Sequence, residues 1–531
     1  MDDDCDGLID DADADLDASW LWTGFVDMDG DGVGAGTEPL TPQCSPAGAV
    51  SIGGDCDDAA AHRHPGAPEV CGDGIDDNCT GVDEPCSGPL VGSLLSDADS
   101  LAIWLGAEEN SWFGYAVMGA DVDGDGDLEM LLGEPSAADP TSDEGRLIQI
   151  EDAAAPSAWL EDGTPTVRGE GLSDMLGGTL ATVGDTDGDG VLEWAVAARL
   201  NDQAAIDAGC VYLLSGPITD GAGMGGEIEL RGATAGDQAG DTMADGADFD
   251  GDGLDSVVVG ARLANVAGTQ QGAVWWVDSP LADVGLGDLD TVILGSVSEG
   301  QFGGGLVSGD LSGDGVPDLL VGSDKAPGGG VERGRVDWFL GPTLPPDSAR
   351  ADYFLYGLTN EDKLGDALAL GDPLGTGAPS AVMAAVGSGV VQPNSGGVWV
   401  VPSPPSVDGD LAAASVSRID GAANESIGGV FALGDLDRDG FDDMVIGSAA
   451  YGDSGEGRAF AFYGPWSGTK SVPDADAYVA ASESSDGLGS AVSFLGDVTG
   501  DGYPEVALGA WSSDRAGVDA GLLFVLPGAP R

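Results

Sequence analysis

Residues 113–135 read FGYAVMGADVDGDGDLEMLLGEP, and this stretch decides the fold. It begins with Phe113-Gly114, runs through a short apolar segment, and enters an Asp/Gly loop that starts at Asp121. A second apolar segment, Met130-Leu131-Leu132, follows the loop and ends in Gly133-Glu134-Pro135. Two short apolar segments joined by a glycine-rich turn predict a β-hairpin.

The same landmarks recur seven times along the chain. Consecutive Asp/Gly loops start 62 to 64 residues apart, and each follows an Xaa-Gly pair and precedes an apolar segment. Four short β-type segments per unit, in seven units, predict an all-β fold: a seven-bladed β-propeller. The alternative is an open β-solenoid, although solenoid coils are usually shorter than these units. The loops begin at Asp121, Asp185, Asp248, Asp310, Asp372, Asp435 and Asp497.

The ends of the repeat region predict how the ring closes. Residues 100–106, SLAIWLG, match the YFLYG segment at 353–357, which precedes the fifth Xaa-Gly pair. The last unit ends at residues 522–526, one strand short of a full blade. We therefore expect the strand within 100–106 to complete the last blade, since closure removes exposed sheet edges.

The composition excludes several classes of protein. The 531 residues include 94 Asp+Glu and 17 Lys+Arg, which gives a net charge of −77. A surface this negative repels phosphate backbones and anionic lipids, so we expect no nucleic-acid partner. The hydrophobic content of 42% is too high for a disordered acidic tail. No run of 18 apolar residues occurs, so we expect no membrane insertion by this chain.

The charge and the cysteines divide the chain into two predicted domains. Residues 1–86 contain 22 acidic residues, one basic residue and six of the seven cysteines, and residues 87–531 contain the repeats. Six cysteines in a short, glycine-rich segment favour disulfides, with Cys44–Cys56 and Cys71–Cys79 preferred, over a cysteine metal site. Disulfides imply an oxidising compartment, yet no export signal follows Met1, so we expect the start to be truncated. The seventh cysteine, Cys210, is expected to be a buried free thiol.

The Asp/Gly loops are candidate calcium sites. Calcium takes six to eight oxygen ligands, which a loop with acids at positions 1, 3, 5 and 9 can supply. Asp and Gly are also ordinary turn residues, but turn chemistry does not require the acid found at position 9 of five loops. The third loop has Ser256 at position 9, with Asp255 one place early, so calcium binding and an empty loop are equally expected there. The fifth loop has lost its ligands and is predicted to be empty. The predicted ligands are Asp121, Asp123, Asp125 and Glu129; Asp185, Asp187, Asp189 and Glu193; Asp248, Asp250 and Asp252; Asp310, Ser312, Asp314 and Asp318; Asp435, Asp437, Asp439 and Asp443; and Asp497, Thr499, Asp501 and Glu505.

The N-terminal segment contains a further candidate. Asp27, Asp29, Asp31 and Glu38 fit the EF-hand loop pattern, but the flanks lack amphipathic helices, so a bare calcium loop is expected. The Cys, Pro-Gly and Asp-Asn spacing over about 27–84 resembles a metal-binding motif of bacterial surface proteins. That family includes a copper-binding outer-surface protein of methane oxidisers. Copper is disfavoured here because it prefers imidazole and sulfur, and only His62 and His64 offer imidazole. We expect about five to seven Ca²⁺ ions in all.

The Xaa-Gly pairs, the DxDGDG loops and the turns after them resemble FG-GAP repeats, as in the N-terminal propeller of integrin α subunits. The resemblance covers about 90–531 and implies seven blades with calcium in certain hairpin loops between the first two strands. The turn departs from Gly-Ala-Pro in most units, as in Gly260-Ala261-Arg262. No large insertion interrupts a unit, and no Arg-Gly-Asp tripeptide occurs.

These observations favour a secreted or cell-surface calcium-binding module that presents one propeller face to a protein or glycan ligand, with calcium in a structural role. Two alternatives remain: a carboxylate-based polysaccharide hydrolase or lyase, and a purely structural stalk. The repeat region has no histidine, and its conspicuous carboxylates all fall in the metal loops, which disfavours an enzyme.

Overall fold

The computed structural model describes residues 102–528, except 138–143, 151–165, 219–221, 225–226, 267, 279–281, 424, 450–455, 482–485 and 501, together with five short strands before residue 96. Its contacts divide the chain into two compact units, residues 1–91 with 529–531 and residues 92–528. In the first unit, Phe25–Val26 pairs antiparallel with Ala49–Val50. Val33–Ala35 pairs parallel with Ile52–Asp55.

The second unit is a seven-bladed β-propeller, which confirms the predicted fold class. Each blade is an antiparallel sheet whose strands are called first, second, third and outer in the order of the sheet. In blades 1 to 3 these are Ala116–Ala120, Glu129–Glu134, Arg146–Ile150 and Thr166–Arg168; Leu176–Gly184, Glu193–Ala198, Cys210–Leu214 and Ile228–Arg231; and Thr242–Ala247, Ser256–Ala261, Ala273–Asp278 and Val292–Leu294. In blades 4 to 7 they are Phe302–Gly309, Asp318–Ser323, Arg335–Phe339 and Tyr353–Tyr356; Leu364–Gly371, Ser380–Ala385, Gly397–Pro402 and Ser417–Asp420; Phe431–Gly434, Asp443–Ser448, Arg458–Phe462 and Ala477–Ala480; and Ala491–Gly496, Glu505–Gly509, Leu522–Leu526 and Ala102–Leu105.

The ring closes as the sequence predicts. The first strands of successive blades contact one another around the ring, and the first strand of blade 7 contacts that of blade 1. Ala102–Leu105 forms the outer strand of blade 7, where Leu105 pairs with Leu522 and Ala102 with Val525. The chain therefore joins the two ends of the repeat region within one sheet.

Connectors between the third and outer strands reach back to the preceding blade. Ala222–Gly223, Val284–Gly285 and Gly468–Ser471 pair parallel with the outer strands of blades 1, 2 and 5. Gly92–Leu95, which precedes the outer strand of blade 7, pairs in the same way with blade 6. The described helices, all single turns, also lie in these connectors: Leu286–Asp288, Ser348–Arg350, Leu411–Ala414 and Val472–Asp474.

The Xaa-Gly pairs have a clear structural role. The glycine of every pair has a positive φ, from 77° at Gly114 to 98° at Gly365, a conformation that disfavours side chains. In six of the seven pairs the residue before it bridges to the preceding blade, as Phe113 does to Gly521 and Leu176 to Gly145. In the remaining pair, the Ala239 amide donates to the Ala208 carbonyl of the preceding blade. Each pair therefore fixes the turn into one blade and its attachment to the blade before it.

The apolar core lies between neighbouring blades. The second strands are buried along their whole length, which explains why they read as continuous apolar segments. The first strands are rich in small residues because they crowd around the axis. At Gly119, for example, a Cβ atom would lie 2.0 Å from the carbonyl oxygen of Leu495 in blade 7.

Candidate metal sites

The Asp/Gly loops occupy equivalent places in all seven blades. Each connects the first strand to the second, so all seven lie at one end of the ring, which we call the metal-loop face. The other end carries the loops between second and third strands and the turns that enter each blade, and we call it the opposite face.

Backbone amides curl each loop around its first carboxylate. In loop 1, Asp121 accepts hydrogen bonds from the amides of Gly124 at 2.8 Å and Gly126 at 3.1 Å. Asp123 accepts from Asp125, and Asp125 accepts from Asp127. Loop 2 repeats the pattern from Asp185 onward. Both glycines of loop 1 have positive φ, as a curl this tight requires.

The acid at position 9 closes the floor of the loop. It is buried in all five loops that have it: Glu129, Glu193, Asp318, Asp443 and Glu505. In loop 2, Glu193 Oε2 accepts from the amide and the hydroxyl of Thr186, both at 2.8 Å. Glu505 Oε2 accepts from the Val498 amide in the same way. In Glu193 one carboxylate oxygen thus holds the backbone, and the other, Oε1, is buried without a hydrogen-bond partner. In Asp318 and Asp443 both oxygens accept from backbone amides.

The fold brings together twelve of the predicted ligands, in four of the seven loops, and no group of three acids forms in the described parts of loops 4, 5 and 7. Ligand atoms of three acids lie within 4.8 Å of one another in four loops. In the fourth loop, position 3 is Ser312, whose amide donates to Asp318 Oδ2 at 2.8 Å. Asp125 and Asp189, at position 5, and Asp439 lie outside the four groups, and Asp501 lies outside the described residues. The groups are Asp121, Asp123 and Glu129; Asp185, Asp187 and Glu193; Asp248, Asp250 and Asp252; and Asp435, Asp437 and Asp443.

The donor set fits a hard divalent cation. Three oxygens in these loops, Glu193 Oε1, Asp435 Oδ1 and Asp497 Oδ1, are buried and have no hydrogen-bond partner. An unpaired buried carboxylate oxygen is costly, and a cation bound by oxygen ligands would satisfy it. The residues present are therefore suited to a bound cation.

Burial raises the pKa of several acids in loops 4 and 6. Burial, reinforced by Asp437 and Asp439, raises the pKa of Asp443 to about 8. Burial also raises the pKa of Asp435 in the same loop and that of Asp318 in loop 4. In each case the metal-free environment disfavours the charged carboxylate, which a cation would favour.

In the third loop, Asp255 does not replace the missing position 9 acid. Its Oδ2 instead accepts from the Asp185 amide of loop 2 at 3.1 Å, and its own amide donates to the Asp185 carbonyl. Burial raises the pKa of Asp255. Asp255 therefore links two loops, and the third loop offers only Asp248, Asp250 and Asp252 as a group.

The fifth loop is held by other contacts. The carboxylate of Asp372 accepts from the Thr376 amide and hydroxyl and from the Gly377 amide. Leu374 packs with a neighbouring apolar cluster that includes Trp466, whose amide donates to the Pro373 carbonyl. These contacts take the place that acids have in the other loops.

The sites and disulfides predicted in the N-terminal segment lie outside the described residues. They comprise the loop formed by Asp27, Asp29, Asp31 and Glu38, the disulfides Cys44–Cys56 and Cys71–Cys79, and both histidines. Cys210 is described, and it is a buried free thiol, as expected.

The expectation that all conspicuous carboxylates lie in the metal loops is wrong. A second set of buried acids lies in the turns of the opposite face. Each of these acids stands two residues before the first residue of an Xaa-Gly pair. Asp237 accepts from the amide and hydroxyl of Thr234 at 2.7 Å, and Asp362 does the same with Thr359. Their recurrence at a fixed distance before five of the seven pairs was the available signal. The set is Asp174, Asp237, Asp362, Glu425 and Asp486.

The sequence reasoning also missed an ion-pair network at the opposite face. Asp241 lies 3.3 Å from Arg199 and 2.5 Å from Arg262, which is 3.8 Å from Asp366. Beside them Asp324 is 6% exposed, and its Oδ1 has no hydrogen-bond partner. Burial and the nearby Asp366 raise the pKa of Asp324 to about 6. These residues flank strand ends in blades 2 to 5.

Aromatic and aliphatic side chains complete the opposite face. The rings of Trp112 and Trp511 are 5.3 Å apart, and Tyr115 lies 6.0 Å from Trp112, where blades 7 and 1 meet. Nine large hydrophobic side chains are exposed in the described part of the chain, and six of them lie on this face. The six are Leu172, Ile206, Val266, Val331, Val391 and Val518.

Comparison with known proteins gives one kind of match to the N-terminal segment and another to integrin alpha subunits. Residues 55–88 match the family model described as "Putative metal-binding motif". The chain is also similar to integrin alpha-PS2 of Drosophila melanogaster, at 29% identity over 203 residues, which are 36% of this chain and 14% of the relative. It is 30% identical over 176 residues to integrin alpha-5 of Xenopus laevis, covering 31% of this chain and 16% of the relative.

These similarities support the FG-GAP resemblance of the propeller, which the seven blades bear out. They span only about a seventh of the length of these relatives. Within the described residues, no helix is long and apolar enough to cross a membrane.

Proposed function

We propose that this chain is a calcium-binding, ligand-binding propeller module of an extracellular or cell-surface protein, and that it is not an enzyme. Calcium occupies the loops of the metal-loop face and stabilises them. The observation that carries the proposal is the grouping of three carboxylates within 4.8 Å in four loops, three of which include a buried position 9 acid. Without a cation such groups repel one another.

Calcium is favoured over other metals by the ligand chemistry. The candidate ligands are carboxylate and hydroxyl oxygens on hairpin loops, which suit a large, hard cation with flexible geometry. Magnesium is rarely held by protein ligands alone. Copper prefers nitrogen and sulfur ligands, and the loops contain neither histidine nor cysteine.

The opposite face is the proposed ligand surface. Exposed hydrophobic side chains that collect on one face mark interaction sites. Six such side chains lie on the same face as the aromatic group and the ion-pair network, whereas the described part of the metal-loop face has three, Leu192, Val407 and Val416. The integrin relatives support a protein ligand as the first candidate, with a glycan as the second.

Calorimetric titration of the chelated full chain with CaCl₂ tests the metal proposal. We expect several bound ions, and a rise in melting temperature with calcium, because a ligand that binds only the folded state stabilises it. Magnesium at equal concentration should be less effective. Absence of binding, together with an unchanged melting curve, would refute the proposal.

Ligand binding is tested on immobilised extracellular-matrix proteins and glycans. Ile206→Asp and Val518→Asp should abolish binding, because each places a charge on the opposite face. Val407→Asp makes the same change on the metal-loop face, outside the metal loops, and should bind as the parent does. Equal loss in all three variants would refute the choice of face, and hydrolysis of a polysaccharide would refute the non-enzymatic assignment.

A further inference from the structure

One metal loop departs from the others at position 4. Six loops have a glycine there, and each of these glycines has a positive φ. In loop 6 the residue is Arg438, and its φ is 56°. This conformation disfavours residues that have a side chain. The six glycines are Gly124, Gly188, Gly251, Gly313, Gly375 and Gly500.

The side chain of Arg438 extends to the neighbouring loop 7. Its Nη2 atom lies 3.9 Å from Asp497 Oδ2, and its guanidinium carbon lies 5.9 Å from the centre of the Tyr503 ring. Asp497 is the first predicted ligand of loop 7, and Tyr503 is at position 7 of the same loop. Loop 6 therefore carries a positive charge that faces the cation site of loop 7.

The other contacts of Asp497 define what this charge does. Asp497 Oδ2 accepts from the Gly502 amide at 2.9 Å, whereas Oδ1 is buried and has no hydrogen-bond partner. Thr499, at position 3, donates to Glu505 at 3.1 Å and brings no charge of its own. Loop 7 thus has one carboxylate fewer than loops 1, 2 and 6, and its first carboxylate already faces a guanidinium.

We propose that Arg438 is a specificity-determining residue of the loop 7 site: it acts as an internal cation that weakens divalent-cation binding there. This inference rests on the proposed function, since it assumes that the loops bind calcium. A divalent cation on Asp497 repels the guanidinium, and a repulsion between charges near a protein surface changes affinity by about tenfold. Because Arg438 is 51% exposed, salt should reduce the effect.

The test is a titration of the full-length chain with calcium, followed by calorimetry, and with terbium, followed by luminescence excited through tyrosine. Tyr503 lies in loop 7, so Tyr503→Phe identifies the part of the terbium signal that comes from this site. Arg438→Gln removes the charge and leaves a shorter, neutral polar side chain at the same position. Arg438→Gly restores the residue of the other six loops and relieves the backbone, so it should fold at least as well.

We expect both variants to bind the cation of loop 7, which is the terbium step lost in Tyr503→Phe, about tenfold more tightly at low salt, with the other steps unchanged. Arg438→Lys should resemble the parent. Arg350→Gln is the matched control, because it removes one charge from a side chain that is 67% exposed and that, within the described residues, pairs with Asp347. An unchanged loop 7 step, or an equal shift of every step, would overturn the role of Arg438. A parent protein that binds no cation would instead refute the proposed function.

Discussion

Replacing Glu193 with glutamine separates the two roles of the position 9 acid. One oxygen of Glu193 accepts from Thr186, and the other is unpaired beside Asp185 and Asp187. A glutamine amide oxygen can keep the Thr186 contacts, while its amide nitrogen cannot bind a cation. The substitution therefore removes the cation ligand and leaves the backbone contact.

The expected effect of Glu193→Gln on the free energy of unfolding has opposite signs with calcium and with chelator. At a calcium concentration of about 100 times the dissociation constant, an occupied site contributes about 2.7 kcal/mol, and the variant loses most of it. In chelator the variant should be as stable as the parent or more so, because repulsion between charges about 5 Å apart near a surface is about 1–3 kcal/mol. For a unit of about 440 residues, 1 kcal/mol corresponds to about 1 °C in melting temperature.

Differential scanning calorimetry with calcium and with chelator measures both effects. We expect the variant to melt about 3 °C below the parent with calcium and at or above it without. Asp372→Asn, in the fifth loop, is the control, and it should lower the melting temperature equally in both conditions because Asp372 holds only the turn. An equal loss for Glu193→Gln in both conditions would show that Glu193 is a backbone contact and not a cation ligand.

Three further predictions concern the blades themselves. Burial raises the pKa of Asp337 to about 7. The contribution of Asp337 to the unfolding free energy is therefore full below about pH 4 and is lost as the pH rises through about 7. Asp337→Asn should flatten this fall in unfolding free energy, measured by denaturant titration. Gly119→Ala should cost about 1–3 kcal/mol or more because its Cβ would clash with the Leu495 carbonyl, whereas Gly178→Ala, whose Cβ meets an atom at 3.5 Å, should change the same unfolding midpoint little. Cys210 is buried with a raised thiol pKa, so a thiol reagent should label it only on unfolding, and rapid labelling of the native protein would contradict its burial.

The sequence predicts the fold well because the repeat is local. An Xaa-Gly pair, an acid loop and two apolar segments lie within about 25 residues, and their order survives in every unit. Even the closing strand, Ala102–Leu105, was recognisable, because it resembles the outer strand of another blade. The parallel pairing of Gly92–Leu95 was not, since two chain segments with no shared pattern meet there.

The metal loops were predictable for the same reason, and the opposite face was not. Ligands at positions 1, 3, 5 and 9 are neighbours in sequence, so their spacing is visible. Asp241 and Arg262 are 21 positions apart, and Asp366 is more than 100 positions further on, yet all three meet at one end of the ring. The role of Asp255 was also hidden, because its partner is the Asp185 backbone of another blade.

The two sets of buried acids, in the turns and in the metal loops, differ in how much a bound cation would stabilise them. A turn acid such as Asp237 stands alone and receives hydrogen bonds from Thr234 and the Asn265 amide. Acids in the loops stand in threes, and some of their buried oxygens are unpaired. Only the loops therefore gain from a cation, and chelation should loosen the metal-loop face and leave the turns of the opposite face intact. If ligands bind the opposite face, calcium removal should weaken binding only as far as it unfolds the propeller, and a loss of affinity in protein that remains folded would show that calcium also acts on the ligand surface.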